Sequence, residues 1–105
     1  MYAYRAALAR VIDGDTVELV VDLGFRMTVR DRFRLADIDA PEHDAGATNY
    51  LQHLFDSIPG PYEIRTYKPD KYGRWLVTVM TPDGSSLNEK MVQAGRAKPY
   101  FGGHK

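Results

Sequence analysis

The sequence predicts a mainly β fold, a small closed barrel of five strands with two flanking helices. Five short apolar-rich segments are separated by Gly, Pro and Asp turns, which is typical of strands. One further segment has its apolar residues at helical spacing, and another carries helix start and stop signals. Because 105 residues suit one domain, we expect a single domain over 1–105.

The first two strands are predicted over residues 4–12 and 16–22. Between them, Asp13 and Gly14 favour a tight hairpin turn, with Gly14 supplying a positive φ. The second segment alternates polar and apolar residues, as expected of a strand that is buried on one face. The dipeptide Leu23-Gly24 predicts the next turn.

The third strand is predicted over residues 25–38 and ends before Pro41. A break in its apolar spacing predicts a bend or bulge near Asp31. Its candidate inward residues are Met27, Val29, Phe33 and Leu35.

A helix is predicted over residues 45–57, where apolar residues recur at helical spacing before Pro59-Gly60-Pro61 ends it. Two more strands follow over 62–67 and 74–80. Trp75 directly follows Arg74, so we expect it on the opposite strand face, in the core.

The second helix is predicted over residues 87–94. Ser86 and Glu89 have the spacing of a capping box, and Gly95 occupies the usual position after a helix. Five strands with one helix after the third and one after the fifth fit the OB-fold, a five-stranded barrel that often binds oligonucleotides.

Composition excludes several classes of protein. The chain has no cysteine, which rules out disulfides, thiolate zinc sites and a cysteine nucleophile. No run approaches the roughly 20 apolar residues that cross a bilayer, so we expect no membrane association. The first residues carry no apolar signal-peptide region, which makes a cytoplasmic location the default expectation.

Charge is balanced in sum but not in distribution. A net charge of zero argues against a general nucleic-acid coat protein. Basic residues cluster in segments 26–34 and 65–74, on either side of an acidic group formed by Asp37, Asp39, Glu42 and Asp44. This distribution of charge suits a site that holds a cation and binds phosphate. Scattered surface charge would produce the same pattern.

Three segments, residues 11–17, 34–42 and 70–74, stand out as carriers of chemistry. Taken singly, each is also explained as an ordinary hairpin turn, strand end or charged loop. Taken together, they place carboxylates on separate loops that can converge on one hard cation. Calcium takes about 6–8 oxygen ligands, so Asp15, Asp39 and a carbonyl near Ala40 would leave positions open for water and phosphate.

The ordered motifs V-I-D-G-D-T, R-L-A-D-I-D-A-P-E, D-K-Y-G-R and N-E-K-M-V-Q-A-G-R-A cover nearly the whole chain. In this order and spacing they resemble the staphylococcal nuclease family. The resemblance implies an OB-type barrel and a calcium-dependent nuclease that hydrolyses DNA, RNA or both. It further implies in-line attack of water and departure of the 5′-oxygen, which leaves 3′-phosphate ends.

The resemblance also implies roles for individual residues. Asp15 and Asp39 correspond to the metal carboxylates, and Ala40 to the residue whose backbone carbonyl contacts the metal. Glu42 corresponds to the general base for the attacking water.

Four basic or aromatic positions correspond to phosphate ligands. Arg34 and Arg74 match the two guanidinium groups on the scissile phosphate, and arginine suits this task because its planar fork binds phosphate oxygens bidentately. Lys71 and Tyr72 match the pair that holds a neighbouring phosphate.

The aromatic residues near the C-terminal end, Tyr100 and Phe101, depart from the family pattern of two tyrosines. Either ring would stack on a base, and capping of the barrel core is an equal alternative. The histidines lack the spacing of a metal pair, and no serine has a paired base motif.

Two interpretations of the function remain, and a third concerns whether the chain acts within a larger assembly. The first is an active, monomeric nuclease, favoured because the metal and arginine positions all hold residues of the required type. The second is a barrel that binds nucleic acid or a protein partner without catalysis. The third is a domain of a larger assembly.

Overall fold

The computed structural model describes residues 2–67, 69 and 73–100. In chain order the strands and helices are β1 (Tyr2–Asp13), β2 (Thr16–Gly24), β3 (Met27–Leu35), β4 (Ile38–Asp39), α1 (Ala45–Ser57), β5 (Tyr62–Tyr67), β6 (Trp75–Val79), α2 (Leu87–Gln93) and β7 (Lys98–Pro99). Neither helix in this part of the chain is long and apolar enough to cross a membrane.

The five long strands close into a barrel in the order β1-β2-β3-β6-β5. All neighbours are antiparallel except β3 and β6, which run parallel. The short strands β4 and β7 form a separate two-stranded sheet. This architecture confirms the predicted five-stranded barrel with two helices and is consistent with an OB-fold.

The core lies inside the barrel and beneath both helices. Alternate residues of β2 point inward, so that Val17, Leu19 and Val21 are buried while their neighbours face out. The helices close the barrel with a set of buried side chains from α1 and α2, namely Ala47, Leu51, Leu54, Phe55, Leu87 and Met91.

Both helices begin and end where local chemistry directs. The carboxylate of Asp44 accepts hydrogen bonds from the N–H groups of Gly46 and Ala47 at the start of α1. At α2 the hydroxyl oxygen of Ser86 accepts from the Glu89 N–H, which confirms the predicted cap. Gly95 follows α2 with a φ of 73°, the left-handed conformation that glycine adopts freely.

The turn between β2 and β3 lies two residues later than predicted. Leu23 and Gly24 belong to β2, and the loop consists of Phe25 and Arg26. The register is continuous around Asp31, and the irregularity lies instead between Asp22 and Gly24. The predicted bulge near Asp31 is therefore wrong.

Two of the expected inward residues of β3 are exposed. Phe33 and Leu35 are buried as predicted, but Met27 and Val29 face solvent. The reason is that β3 pairs with β6 only from Phe33 onwards, while its earlier residues pair with β2 alone. Residues 23–32, which we call the hairpin arm, thus extend beyond the closed part of the barrel.

Trp75 is also exposed, contrary to the expectation of a core position. It shares strand parity with the buried residues Val77 and Val79, but it is the first residue of β6. At that position the strand lies at the rim of the barrel, where inward parity does not produce burial.

Candidate functional site

The turn between β1 and β2 places Asp15 against the end of β3. Gly14 and Asp15 form the turn, since Asp13 pairs with Thr16. The backbone carbonyl of Asp15 accepts a 2.8 Å hydrogen bond from the Leu35 N–H. The hairpin turn and this hydrogen bond together fix the backbone of Asp15. Its side chain is mostly buried beside the last residues of β3.

Gly14 is required at this turn for space and not for backbone conformation. Its φ is not positive, which corrects the prediction. A Cβ at this position would lie 2.7 Å from the Ala47 Cβ and 2.8 Å from the Ala40 Cβ. The missing side chain lets the turn approach both α1 and the segment after β4, so it sets the distance between Asp15 and Ala40.

Arg34 joins the two carboxylates that the sequence singled out. Its Nη2 lies 3.3 Å from Asp39 Oδ1 and 3.6 Å from Asp15 Oδ2. The Arg34 and Asp15 side chains are each only 12% exposed, whereas Asp39 is 58% exposed. Two carboxylates facing one guanidinium leave a net negative charge that is partly open to solvent, which is an arrangement that attracts a cation.

The segment after β3 brings Asp39 and Ala40 to Asp15. Asp37 adopts a left-handed φ of 64°, which turns the chain sharply between β3 and β4. The Ala40 N–H then donates a 3.1 Å hydrogen bond to Asp15 Oδ2. This amide bond holds Ala40 beside Asp15, whereas the contact predicted for the Ala40 carbonyl is to a metal ion.

Tyr100 lies against the same arginine. Its ring centroid is 5.6 Å from the Arg34 Cζ, within reach of a cation–π contact. Its N–H donates a 2.8 Å hydrogen bond to the Asp37 carbonyl, and β7 pairs Lys98 with Asp39 just before it. The two-stranded sheet therefore brings both Tyr100 and Asp39 next to Arg34.

The remaining predicted site residues lie around this cluster. Arg74 is half-buried and directly precedes the Trp75–Phe33 pair that joins β6 to β3. Glu42 is exposed in the loop between β4 and α1. The predictions for Lys71, Tyr72 and Phe101 fall outside the described residues.

The donor set is compatible with a hard cation but incomplete. Across residues 2–67, 69 and 73–100, no three His, Asp or Glu side chains form a metal-binding group. Asp44 uses its Oδ1 to cap the N-terminus of α1. Asp15 and Asp39 would provide only two carboxylate ligands to a cation, and backbone oxygen and water would have to complete a shell.

Asn88 is a supporting residue that the sequence reasoning missed. Its Nδ2 donates to the carbonyls of Ala36 (2.9 Å) and Val77 (3.0 Å), and its Oδ1 accepts from the Val79 N–H at 3.1 Å. These bonds anchor α2 to β6 and to the chain just before Asp37. A polar residue next to Leu87, at the start of a helix whose apolar face is buried, is the signal that would have identified it.

Known proteins resemble this chain along most of its length. Residues 32–105 match the family described as Staphylococcal nuclease homologue. A protein named "Uncharacterized endonuclease" from Escherichia coli O157:H7 is 39% identical over 95 residues, which cover 89% of this chain and 59% of that protein. A "Micrococcal nuclease" from Shigella flexneri is 35% identical over 107 residues, with 92% and 59% covered.

A third relative has a very different length. "Endonuclease YhcR" from Bacillus subtilis (strain 168) is 32% identical over 117 residues, and these cover 93% of this chain but 9% of that protein. The first two relatives, by contrast, are spanned to 59% of their length. Since the family match over residues 32–105 includes Arg34, β4, both helices and most of the chain, the chain belongs to the staphylococcal nuclease homologue family.

Proposed function

We propose that this chain is a calcium-dependent endonuclease that hydrolyses phosphodiester bonds of DNA, RNA or both. The observation that carries the proposal is the contact of Arg34 with both Asp15 and Asp39. A nuclease of this kind needs a cationic group for the phosphate directly beside carboxylates that hold a metal. The names of the relatives, which include endonuclease and micrococcal nuclease, support the same reaction class.

The chemistry of the donor set supports calcium. Asp15 and Asp39 are carboxylates from two separate loops, and calcium accepts backbone carbonyl and water oxygens in the rest of its shell. We expect the Ala40 carbonyl to be one of these ligands. When bound, the ion would supply positive charge against the anionic phosphodiester and its more negative transition state.

The arginines contribute electrostatic stabilisation. Arg34 and Arg74 would donate hydrogen bonds to the nonbridging oxygens of the scissile phosphate, where negative charge accumulates. The low exposure of the Arg34 side chain makes such a contact stronger than it would be in bulk water. Removal of one preorganised donor commonly lowers the rate by about 10²–10³.

Glu42 would accept the proton of the attacking water. Its position in an exposed loop, three residues after Asp39, leaves it accessible from solvent. The water oxygen would bond to phosphorus as the bond to the 5′-oxygen breaks in line with it, and the departing 5′-oxygen would take a proton from solvent to become a hydroxyl. The phosphate then remains on the 3′-oxygen of the upstream fragment.

The direct test is cleavage of single-stranded DNA and RNA by the purified protein in calcium, with a chelator as the negative condition. Asp15→Ala and Arg74→Ala are expected to lower the rate by at least about 10²-fold. Asp56→Ala is the matched control, since Asp56 is an exposed carboxylate on α1 whose partner is Gln52. Circular dichroism would verify that each variant is folded.

The product ends form a separate readout. Ends with a 3′-phosphate block extension by a polymerase until a phosphatase removes the phosphate, whereas 3′-hydroxyl ends are extended at once. Undiminished cleavage by both Asp15→Ala and Arg74→Ala would refute the mechanism. Binding of oligonucleotide without turnover in calcium would favour a non-catalytic binding domain.

A further inference from the structure

The outer face of β3 carries a row of arginines that begins inside the site. Arg30, Arg32 and Arg34 are spaced two residues apart, so their side chains leave the same face of the strand. The buried residues Phe33 and Leu35 occupy the opposite face. Successive arginines are about 6.7 Å apart, which places Arg30 roughly 13 Å from Arg34 along the strand.

Neighbouring strands add one more arginine and one carboxylate to this face. Arg32 is paired in register with Glu18 of β2, which is paired with Arg10 of β1. The Glu18 carboxylate accepts hydrogen bonds from Arg30 and, at 3.0 Å, from Arg10. We call Arg10, Arg30 and Arg32 the arginine ridge; three cations surround one anion there, so the ridge has a net positive charge.

The arginine ridge remains open to solvent. The side chains of Arg10 and Arg30 are 58% and 62% exposed although both contact Glu18. Within the described residues, Arg32 takes part in no ion pair.

The nearest other acids do not neutralise the ridge. Asp31 leaves the opposite face of β3, and its carboxylate accepts from the Arg32 backbone N–H. Asp22 lies further towards the turn, paired in register with Arg5. The net charge of the ridge is therefore available to an external anion.

We propose that the arginine ridge binds backbone phosphates of the substrate strand next to the phosphodiester that is cut. The inference rests on the proposed function for its occupant, a polynucleotide strand. Arginines repeated along a straight strand face match an anion that repeats along a chain, and each guanidinium binds phosphate oxygens through a planar fork. Because Arg30 and Arg32 lie in one row with Arg34, a strand bound along the ridge would continue into the candidate site.

Equilibrium binding tests this without cleavage. Fluorescence anisotropy in the presence of a chelator would measure the affinity for labelled dT20 and for labelled dT3. The trinucleotide has too few phosphates to contact Arg34 and the arginine ridge at the same time. Loss of two phosphate contacts on a single strand lowers the slope of log K against log salt by about 1.4. For Arg30→Gln/Arg32→Gln we expect this change with dT20 and roughly a tenfold or greater loss of affinity at 0.1 M salt, and a much smaller loss with dT3.

Two variants test the charge balance. Glu18→Gln removes the anion among the ridge arginines, so it should tighten binding of dT20 and steepen the salt dependence. Arg65→Gln is the matched control, because Arg65 is an arginine on β5, which is adjacent to neither β2 nor β3, and it also pairs with a glutamate, Glu63, at 3.2 Å. Its effect on dT20 binding should be small.

The proposal is overturned if wild-type protein binds dT20 no more tightly than dT3. It is equally overturned if Arg65→Gln weakens dT20 binding as much as Arg30→Gln/Arg32→Gln does, or if Glu18→Gln weakens binding. Failure of the proposed function would be visible separately, as wild-type protein that binds dT20 through the ridge but does not cut it in calcium.

Discussion

At position 14 the absence of a side chain determines the geometry of the site. Gly14 lies within contact distance of Ala40 and Ala47, and the next residue, Asp15, binds Arg34 and the Ala40 amide. A glycine in an Asp-Gly turn is ordinarily explained by its backbone freedom. Here steric contact with two other segments explains it, because its φ is one that other residues adopt.

Gly14→Ala should therefore destabilise the protein through overpacking, by about 1–3 kcal/mol. Urea denaturation would measure the change in the free energy of unfolding. Adding Ala47→Gly removes the closer of the two clashes, so the double variant should lose less stability than the sum of the single variants. A neutral Gly14→Ala would show that the turn is not tightly packed.

At the scale of elements, the hairpin arm combines regular pairing with an unusual turn. Phe25 and Arg26 have φ values of 55° and 62°, the pattern of a type I′ turn, which favours Asn-Gly. Positive φ costs about 1–2 kcal/mol for a residue with a Cβ. Phe25 as a whole residue is 98% exposed, so packing does not compensate for that cost.

Replacing this dipeptide by Asn-Gly, as Phe25→Asn/Arg26→Gly, is expected to raise the free energy of unfolding by about 1 kcal/mol or more. Urea denaturation provides the measurement. Phe25→Ala is the control, because alanine removes the exposed ring but retains the unfavourable φ. Equal stabilisation by Phe25→Ala would attribute the gain to loss of the ring and contradict the backbone explanation.

For the whole molecule, the response of stability to acid follows from carboxylates that accept hydrogen bonds in the folded state and not in the unfolded state. A hydrogen bond from the Thr81 hydroxyl, with further ones from the Ser85 N–H and Lys90, lowers the pKa of Asp83 from 3.8 to about 2. Hydrogen bonds from Arg30 and then Arg10 lower the pKa of Glu18 below 4.5. In both cases the folded state holds its proton less tightly than the unfolded state.

A lowered pKa contributes stability above the unfolded value and loses that contribution as pH falls through the folded value. For Asp83 the window is from 3.8 down to about 2, and stability should decline across it. Urea denaturation as a function of pH would show a shallower decline in Asp83→Asn. In Thr81→Val the pKa of Asp83, followed by carboxyl ¹³C shifts, should rise; an unchanged value would exclude the hydroxyl as the main cause.

Much of the fold was predictable because its signals are local. Apolar alternation and spacing located the five barrel strands and α1, while Ser86, Glu89 and Gly95 located α2. The errors at Met27, Val29 and Trp75 share one cause. Parity along a strand predicts which way a side chain points, but whether that side is covered depends on where the neighbouring strand begins.

The candidate site shows the same division. Motif order identified Asp15, Arg34 and Asp39, and the structure brings these three together. No comparable local signal indicated three other features. These are the close approach that Gly14 allows, the three hydrogen bonds of Asn88, and the use of Asp44 as a cap. Each depends on a partner from another element.

By itself, the sequence determined the kinds of element, the family and the residue types available for phosphate chemistry, since these depend on spacing and order along the chain. Only the tertiary structure decided that one guanidinium lies between two carboxylates and that a row of arginines continues outward from it. The physical reason is that charges interact across space, and the distances between them are set by closure of the barrel, by strand register and by the packing of Gly14 against α1.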